Sequence, residues 1–290
     1  MRLTNKFGLP EPVVKALTRS DYDRGESNRS ITQLIDSPRI RILRQENWDA
    51  MEEDVSEKMW AVLGSAAHKM FEETGDDRHV TEERIFSEID GWVISGAIDV
   101  QRIDPDGITI MDYKTTSVWS VILGKKEWEH QLNCYAYLVR KSKGFSVKSL
   151  KVVAILRDWK SKDAELKNDY PKAPIVEIDI PLWSNEKQDA FLHERVRLHQ
   201  SAEFERLTGG KLPECSSEER WQRPSVWAVK KKGNKRALKL YYNEDEAKNA
   251  LEDGQEIEFR QGEFGRCAGN WCKVNAWCDQ YQQDPFDSLK

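Results

Sequence analysis

Alternating apolar and polar positions predict neighbouring strands in the first half of the chain. Apolar and small residues alternate from Val93 to Val100, within an expected strand at about residues 92–102. After the turn sequence Asp104-Pro105-Asp106-Gly107, the run Ile108 to Met111 leads into a second expected strand at about residues 108–114. We therefore expect an antiparallel pair of strands here. Further strands are expected at about residues 84–89, 150–156 and 175–180.

Helical periodicity flanks these strands. Apolar positions from Ser56 to Glu73 recur at helical spacing, and Ser56 is a suitable N-cap. Gly64, His68 and Glu72 are four residues apart, so they share one face of this helix. Because glycine weakens a helix, Gly64 indicates that another group packs closely against it. Two further helices are expected at about residues 125–141 and 185–207.

The order of helix, three strands, helix and strand is typical of a compact α/β unit with a central mixed β-sheet flanked by helices. After Gly209-Gly210, cysteines, tryptophans and basic residues become frequent and helical periodicity weakens. We predict three segments: a helical and loop segment at residues 1–55, the α/β core at 56–208, and a basic, cysteine-rich C-terminal appendage at 209–290 that packs on the core.

Composition narrows the class of protein. Of the 290 residues, 33% are charged and 39% hydrophobic, which is typical of a soluble globular protein. No apolar run approaches the roughly 20 residues that a membrane span needs. The first residues, Met1 to Lys6, lack the apolar block of a secretory signal. We therefore expect a cytoplasmic protein without a membrane partner.

The net charge of −5 gives no sign of a nucleic-acid-binding protein, but the basic residues are unevenly distributed. Residues 230–239 contain six basic side chains and no acidic one. A solvated hairpin is one interpretation, and a phosphate-binding ribbon is the other. The candidate DNA-binding residues are Lys230, Lys231, Lys232, Lys235 and Arg236.

Two aspartates and a lysine form the main candidate for chemistry. Asp99 follows Gly96 in the first of the paired strands, and Asp112 lies near the end of the second. Lys114 is two positions beyond Asp112 and so lies on the same face of its strand. Such aspartates are often only turn formers. Two carboxylates and an ammonium group at one point are also suited to holding a divalent metal and a water beside a phosphate.

The cysteines suggest a second metal centre. Cys267, Cys272 and Cys278 lie within twelve residues, and Cys215 is available as a fourth ligand. In a reducing compartment, such spacing favours a metal or cluster over disulfides. Four free thiols are the alternative. Cys134 lies alone within a predicted helix, where we expect a small buried hydrophobic side chain.

Four short segments follow one another in the chain: Gly64 to Glu72, Gly96 to Asp99, Asp112 to Thr115, and Gln131 to Tyr135. In this order they resemble the motifs of the RecB-like branch of the PD-(D/E)XK nuclease superfamily, which includes small CRISPR-associated and bacteriophage exonucleases. The resemblance covers roughly residues 60–157. It implies a PD-(D/E)XK nuclease core as the fold.

The resemblance also implies roles for individual residues. Asp99 and Asp112 would hold the metal, with His68 and the carbonyl of Tyr113 as further ligands. Lys114 would orient the attacking water, while Gln131 and Tyr135 would position Lys114 or the DNA backbone. Carboxylate ligands suit Mg²⁺ or Mn²⁺, and the imidazole favours Mn²⁺. Glu72 and Glu83 are weaker candidates for the site.

Relatives in this branch often carry a four-cysteine iron–sulfur cluster with one cysteine before the core. Here Cys215 lies after the core instead. The resemblance therefore leaves a [4Fe-4S] cluster and Zn²⁺ both open.

We expect a metal-dependent DNA exonuclease that uses metal-activated water, with a role in phage-type recombination, repair or end processing in a bacterial host cell. Its substrate would be DNA that is single-stranded or has ends, and its partner a recombination or single-strand-binding protein. The alternatives are an endonuclease or nickase with the same site, and a non-catalytic DNA-binding protein that retains the nuclease fold.

Overall fold

The computed structural model describes residues 1–19, 25–72 and 75–283. The chain divides into two compact units. Unit 1 comprises Met1–Ile35 and Trp48–Ser201, and unit 2 comprises Asp36–Asn47 and Ala202–Lys290. The three segments expected from the sequence remain a prediction about folding units.

Unit 1 contains most of the strands in the described part of the chain. They are β1 (Arg2–Thr4), β2 (Arg29–Ser30), β3 (Glu52–Asp54), β4 (His79–Ile89), β5 (Trp92–Asp104), β6 (Gly107–Thr116), β7 (Val147–Leu156) and β8 (Ile175–Ile180). Its α-helices are α1 (Glu11–Thr18), α2 (Ile31–Ile35), α4 (Met59–Glu72), α5 (Val118–Leu123), α6 (Lys126–Leu138), α7 (Ser161–Leu166) and most of α8 (Asn185–Thr208).

The central sheet is mixed. β4 pairs antiparallel with β5 along nearly the whole of that strand, while β2 and β6 pair with different stretches of β5. β6 then pairs parallel with β7, and β7 antiparallel with β8. The fold is therefore the α/β arrangement of a central mixed sheet flanked by helices that the sequence predicts.

Apolar alternation explains how the helices pack on this sheet. On β7 the residues Leu150, Val152, Ala154 and Leu156 are buried at every second position. They join a core that includes Leu132 and Leu138 of α6. Cys134 is also buried in α6, at 1% exposure, as expected for a small hydrophobic side chain.

Two expectations about α4 are wrong. The helix begins at Met59 after a 3₁₀ turn at Val55–Lys58, and Asp54 caps that turn by accepting a hydrogen bond from the backbone N–H of Ser56. Ser56 is therefore the residue being capped. A methyl group added at Gly64 would meet nothing within 4 Å among the described residues beyond the helix itself and adjacent residues. No described group packs against Gly64, because its side faces open space.

Unit 2 is built from short elements. They are α3 (Pro38–Glu46), β9 (Gln222–Arg223), β10 (Val226–Lys231), β11 (Ala237–Tyr241), α9 (Glu244–Asn249), β12 (Gln255–Arg260), β13 (Glu263–Phe264), α10 (Gly265–Ala268) and α11 (Asp279–Gln282). β10 lies between β11 and β12 in an antiparallel sheet, and β9 pairs with β13. Among the described residues, none of the helices is sufficiently long and apolar to span a bilayer.

Candidate functional site

The separation of β5 from β6 creates the first part of the site. The two strands pair from Asp104 opposite Gly107 as far as Val100 opposite Met111. Beyond that point Asp99 Oδ2 accepts a hydrogen bond of 2.7 Å from the backbone N–H of Tyr113. The carboxylate thus replaces the ladder carbonyl that this N–H would otherwise need. This bond therefore holds the carboxylate of Asp99 close to Asp112, the residue before Tyr113.

His68 enters the site from α4. Its Nε2 lies 3.1 Å from the carbonyl oxygen of Tyr113, and its Nδ1 lies 3.4 Å from Asp99 Oδ1. The same Nδ1 is 3.5 Å from Glu82 Oε1. Hydrogen bonding to Asp99 and then to Glu82 raises the pKa of His68 to about 10. In the metal-free protein the imidazole is therefore a cation that balances the carboxylates around it.

Asp112 and Lys114 form the second part of the site. Lys114 Nζ lies 2.6 Å from Asp112 Oδ2, and Gln131 Nε2 donates to Oδ1 at 3.2 Å. Asp112 is 1% exposed, and this burial raises the pKa of its carboxyl to about 6 although the lysine opposes the shift. The ammonium of Lys114 is thus the partner of the buried Oδ2, while Gln131 binds the other oxygen of the carboxylate.

The helix α6 supports Asp112 from the other side. Gln131 Nε2 also donates to the hydroxyl of Tyr135 at 2.8 Å, four residues further along the helix. Burial raises the pKa of Tyr135, so the phenol stays neutral. A Cβ at Gly96 would lie 2.7 Å from Cε1 of Tyr135. The glycine in β5 therefore allows α6 to approach closely enough for Gln131 to reach Asp112.

Glu82 is a site residue that the sequence analysis missed. β4 and β5 are joined by Asp90 and Gly91, both at positive φ. Thr81 pairs with Val100 and Glu83 pairs with Ile98, so Glu82 lies across from Asp99. Glu82 itself has a φ of 49°. The two-residue Asp-Gly turn could have fixed this register from the sequence, because cross-strand partners lie on one face of a sheet.

The weaker candidates have other positions. Glu83, one residue further on, pairs with Lys143 and accepts a hydrogen bond from Gln101 Nε2 at 2.6 Å. It is thus occupied as a structural residue of the strand. The side chain of Glu72 lies outside the described residues.

These groups have the chemistry of a hard-cation site. Ligand atoms of His68, Glu82 and Asp99 all lie within 4.8 Å of one another. The carbonyl oxygen of Tyr113 lies 3.1 Å from His68 Nε2, whereas Asp112 lies outside this group of three and interacts electrostatically with Asp99 and His68. Mg²⁺ and Mn²⁺ prefer such oxygen donors. The side chains of His68 and Lys114 are 31% and 25% exposed, so the site is open to solvent on their side. The residues present therefore fit a divalent cation.

The four cysteines of unit 2 line one small cavity of about 10 Å³. Cys267, Cys272 and Cys278 are buried in the short helices and turns at the end of the chain. Gln280 holds Cys215 beside them, since its side chain bonds both the backbone N–H and the carbonyl of Cys215 at 2.9 Å. Burial raises the pKa of the Cys215 thiol to about 12.

Charged side chains of both signs surround the cavity. Arg39, Arg220 and Arg266 line it together with Glu219 and the cysteines. Arg39 is 1% exposed and forms an ion pair with Asp279, and Arg266 pairs with Asp36 at 3.0 Å. A set of four thiolates would be strongly negative, so guanidinium groups around it favour the ionised form of the ligands.

The basic segment of unit 2 forms a hairpin from β10 to β11, with a bulge after Val229. The candidate DNA-binding residues do not share one environment. Lys230 is 17% exposed and lies 3.3 Å from Glu256 and 3.5 Å from Glu258. The other candidates are exposed: Lys231, Lys232, Lys235 and Arg236.

A family model described as the PD-(D/E)XK nuclease superfamily matches residues 11–279. The chain belongs to the PD-(D/E)XK nuclease superfamily. No curated protein matches the chain.

Solved structures offer distant likenesses to this superfamily member. The protein SSO0001 is 19% identical over 65% of this chain and 85% of its own, with a TM-score of 0.43. An alkaline exonuclease from Laribacter hongkongensis is 11% identical over 62% of this chain and 91% of its own, with a TM-score of 0.36.

Proposed function

We propose that the protein is a metal-dependent DNA exonuclease of the RecB-like branch, acting in phage-type recombination, repair or end processing in the cytoplasm of a bacterial host. One observation carries the proposal: His68, Asp99 and Asp112 converge with Lys114 in a single solvent-reachable site. Membership of the nuclease superfamily supports hydrolysis of a phosphodiester bond.

Asp99, Asp112, His68 and the carbonyl of Tyr113 would hold Mg²⁺ or Mn²⁺, with Glu82 beside them. When bound, such an ion lowers the pKa of water and offsets charge on the phosphate oxygens. Lys114 adds positive charge next to Asp112 and would orient the nucleophile or the phosphate. Gln131 fixes the carboxylate of Asp112, and Tyr135 fixes Gln131 in turn.

The four cysteines would hold a [4Fe-4S] cluster or Zn²⁺ in this proposal, since four thiolates can bind either group. The group would hold the end of the chain in place.

The exposed basic residues of the β10–β11 hairpin would contact the DNA backbone. Lys231, Lys232, Lys235 and Arg236 are the better candidates, because Lys230 already faces two glutamates. Phosphate contacts add affinity without sequence preference. A recombination or single-strand-binding protein would bring the enzyme to its DNA.

The test uses end-labelled linear DNA and covalently closed circular DNA of the same sequence, each incubated with Mn²⁺ or Mg²⁺. An exonuclease releases label from linear molecules and leaves circles intact. Asp112→Ala and Lys114→Ala should abolish the release, while Asp106→Ala, a turn residue exposed to solvent, should not.

Three other results would contradict the proposal. Cleavage of the circles would indicate an endonuclease or nickase. Binding that persists in EDTA, without hydrolysis under either metal, would indicate a non-catalytic DNA-binding protein. Undiminished release by both Asp112→Ala and Lys114→Ala would remove the site assignment itself.

A further inference from the structure

The helix α4 has an unusual surface for a helix next to a charged site. Its sequence is largely apolar, yet several large side chains face solvent: Met59 is 46% exposed, Trp60 54% and Met70 61%. Trp60, Gly64 and His68 follow one another at intervals of four residues, so they form one row along the helix. His68 is the end of that row that lies in the carboxylate site.

The guanidinium group of Arg157 stacks over the indole ring of Trp60. The guanidinium carbon of Arg157 lies 4.4 Å from the centre of the indole, which is a cation–π contact. Arg157 is exposed, and within the described part of the chain no carboxylate forms an ion pair with it. Trp60 and Arg157 therefore present an aromatic surface and an unneutralised positive charge at one point.

Two independent measures give the distance from this pair to the site. Trp60 and His68 are eight residues apart on α4, which corresponds to about 12 Å along the helix. Arg157 donates its backbone N–H to the carbonyl of Thr116 at 3.0 Å. Thr116 is four residues beyond Asp112 on β6, which corresponds to about 13 Å along the strand.

The space between the two points is open. Gly64 lies midway along the row, and a side chain added there would meet no described atom within 4 Å beyond the helix itself and adjacent residues. A glycine inside a helix lowers its stability, and here no group in the described part of the chain gains from the missing side chain. A bound ligand strand that passes over Gly64 on its way to the carboxylate site would gain space from the missing side chain.

We propose that the row Trp60–Gly64–His68 is a track for single-stranded DNA, in which Trp60 and Arg157 hold an unpaired base and its phosphate about 12 Å from the carboxylate site. Only an unpaired base exposes a face for stacking on an indole, and alternating aromatic and basic groups are typical of single-strand binding. The proposal deepens the proposed function and rests on it, because the strand is taken to end at the carboxylate site.

Binding and hydrolysis are measured separately. Binding of a fluorescein-labelled oligothymidylate is followed by anisotropy in Ca²⁺ over a series of salt concentrations, and hydrolysis is followed in Mn²⁺. Trp60→Ala should weaken binding by about 5-fold to 100-fold and leave the salt dependence unchanged. Arg157→Ala should lower the slope of log K against log salt by about 0.7, since one phosphate contact is lost.

Gly64→Leu separates a track from a structural role. Leucine favours a helix more than glycine does and has free space here, so the variant should not lower Tm. If DNA crosses Gly64, the same variant should bind the oligonucleotide several-fold more weakly. Trp48→Ala is the matched control, since Trp48 is also in unit 1 and is 48% exposed. It should bind as the wild type does.

The outcomes distinguish the two proposals. Equal binding by Trp60→Ala and Trp48→Ala, or wild-type binding by Gly64→Leu, would overturn the track and leave the nuclease proposal intact. The expected binding pattern without hydrolysis would overturn the nuclease and support the track. A change in molecular mass with Trp60→Ala, measured by light scattering, would overturn the track by showing that this face of α4 joins copies of the chain.

Discussion

The carboxylate site (His68, Glu82, Asp99, Asp112 and Lys114) and the thiol cluster (Cys215, Cys267, Cys272 and Cys278) are both sets of metal-binding side chains, but they are held differently. In the carboxylate site, long strands and α6 fix the groups. The imidazole and the ammonium also balance the carboxylates. In the thiol cluster, the ligands come from short turns, and burial raises the pKa of Cys215 and Cys272.

The two centres differ in what holds their geometry in place. Hydrophobic packing of the central sheet holds the carboxylate site whether or not an ion is bound. The thiol cluster lies in a segment whose helices α10 and α11 are each four residues long, too short to be stable alone. We therefore expect a bound metal to matter for activity at the first centre and for folding at the second.

The largest effect is expected from Cys272→Ser. For a structural metal bound by thiolates, the binding free energy is largely folding free energy and amounts to about 10 kcal/mol or more. The variant should lose bound iron or zinc, and amide hydrogen exchange should accelerate in residues 265–283. Cys134→Ala, which removes a buried thiol from α6, should keep its metal. Full metal content in Cys272→Ser would contradict the assignment.

Asp112→Asn should give the opposite pattern. Loss of a charged ligand should lower kcat/KM on labelled DNA by at least about 10³-fold, or about 4 kcal/mol. Burial raises the pKa of Asp112 to about 6, so ionisation at pH 7 costs stability in the metal-free protein. In EDTA at pH 7 the variant should therefore melt no lower than the wild type.

The pH dependence checks this explanation. The folded carboxyl binds its proton more tightly than the unfolded one, so the contribution of Asp112 to stability falls as the pH rises from about 4 to 6. Any advantage of Asp112→Asn in Tm should therefore shrink as the pH is lowered. The matched control is Asp106→Asn, whose side chain is 72% exposed. If Asp112→Asn melts far below the wild type at pH 7 in EDTA, ionisation of the buried carboxyl is not what limits stability here.

Glu82→Gln should have an intermediate effect. Glu82 contacts His68, and loss of such a supporting group typically weakens metal binding by about 10-fold to 100-fold. Titration calorimetry with Mn²⁺ measures the change. Glu83→Gln is the control, because the side chain of Glu83, the next residue in β4, pairs with Lys143 and not with His68. An equal loss in both variants would show that the charge of β4 matters and the position of Glu82 does not.

The smallest effects are expected from two Gly→Ala substitutions. In Gly96→Ala the new methyl would overlap the ring of Tyr135 and Leu138, which should cost about 1–3 kcal/mol of unfolding free energy with or without metal. Gly64→Ala has open space and should stabilise by about 0.5–1 kcal/mol. Urea unfolding in EDTA measures the unfolding free energy of both variants. If the two substitutions changed this free energy by similar amounts and with the same sign, the packing described for Gly96 would be contradicted.

Local pattern was sufficient for much of the fold. The apolar run at residues 150–156 and the turn sequence that ends at Gly107 predict strands, and the structure contains these strands at Val147–Leu156 and on both sides of that turn. The spacing of Asp112 and Lys114 predicts that they share a face, and the two groups lie 2.6 Å apart. These features depend on the geometry of one strand or one turn, which neighbouring residues determine by themselves.

Features that depend on distant contacts were harder to predict. Gly64 suggested close packing, whereas open space lies beside it. Ser56 had the chemistry of an N-cap, but Asp54 takes that role from β3. Glu82 was missed because only the register of β4 against β5 places it opposite Asp99. Lys230 looked like its basic neighbours until β12 brought two glutamates beside it.

The sequence by itself determined the types of ligand in this protein: carboxylates and an imidazole for a hard cation, and thiolates for a softer metal or cluster. It also determined the α/β pattern that carries them, because periodicity and ligand chemistry are properties of single segments. Only the tertiary structure decided which groups meet. Those meetings depend on where β5 and β6 separate and on how closely α6 approaches Gly96, and both follow from packing between segments far apart in the chain.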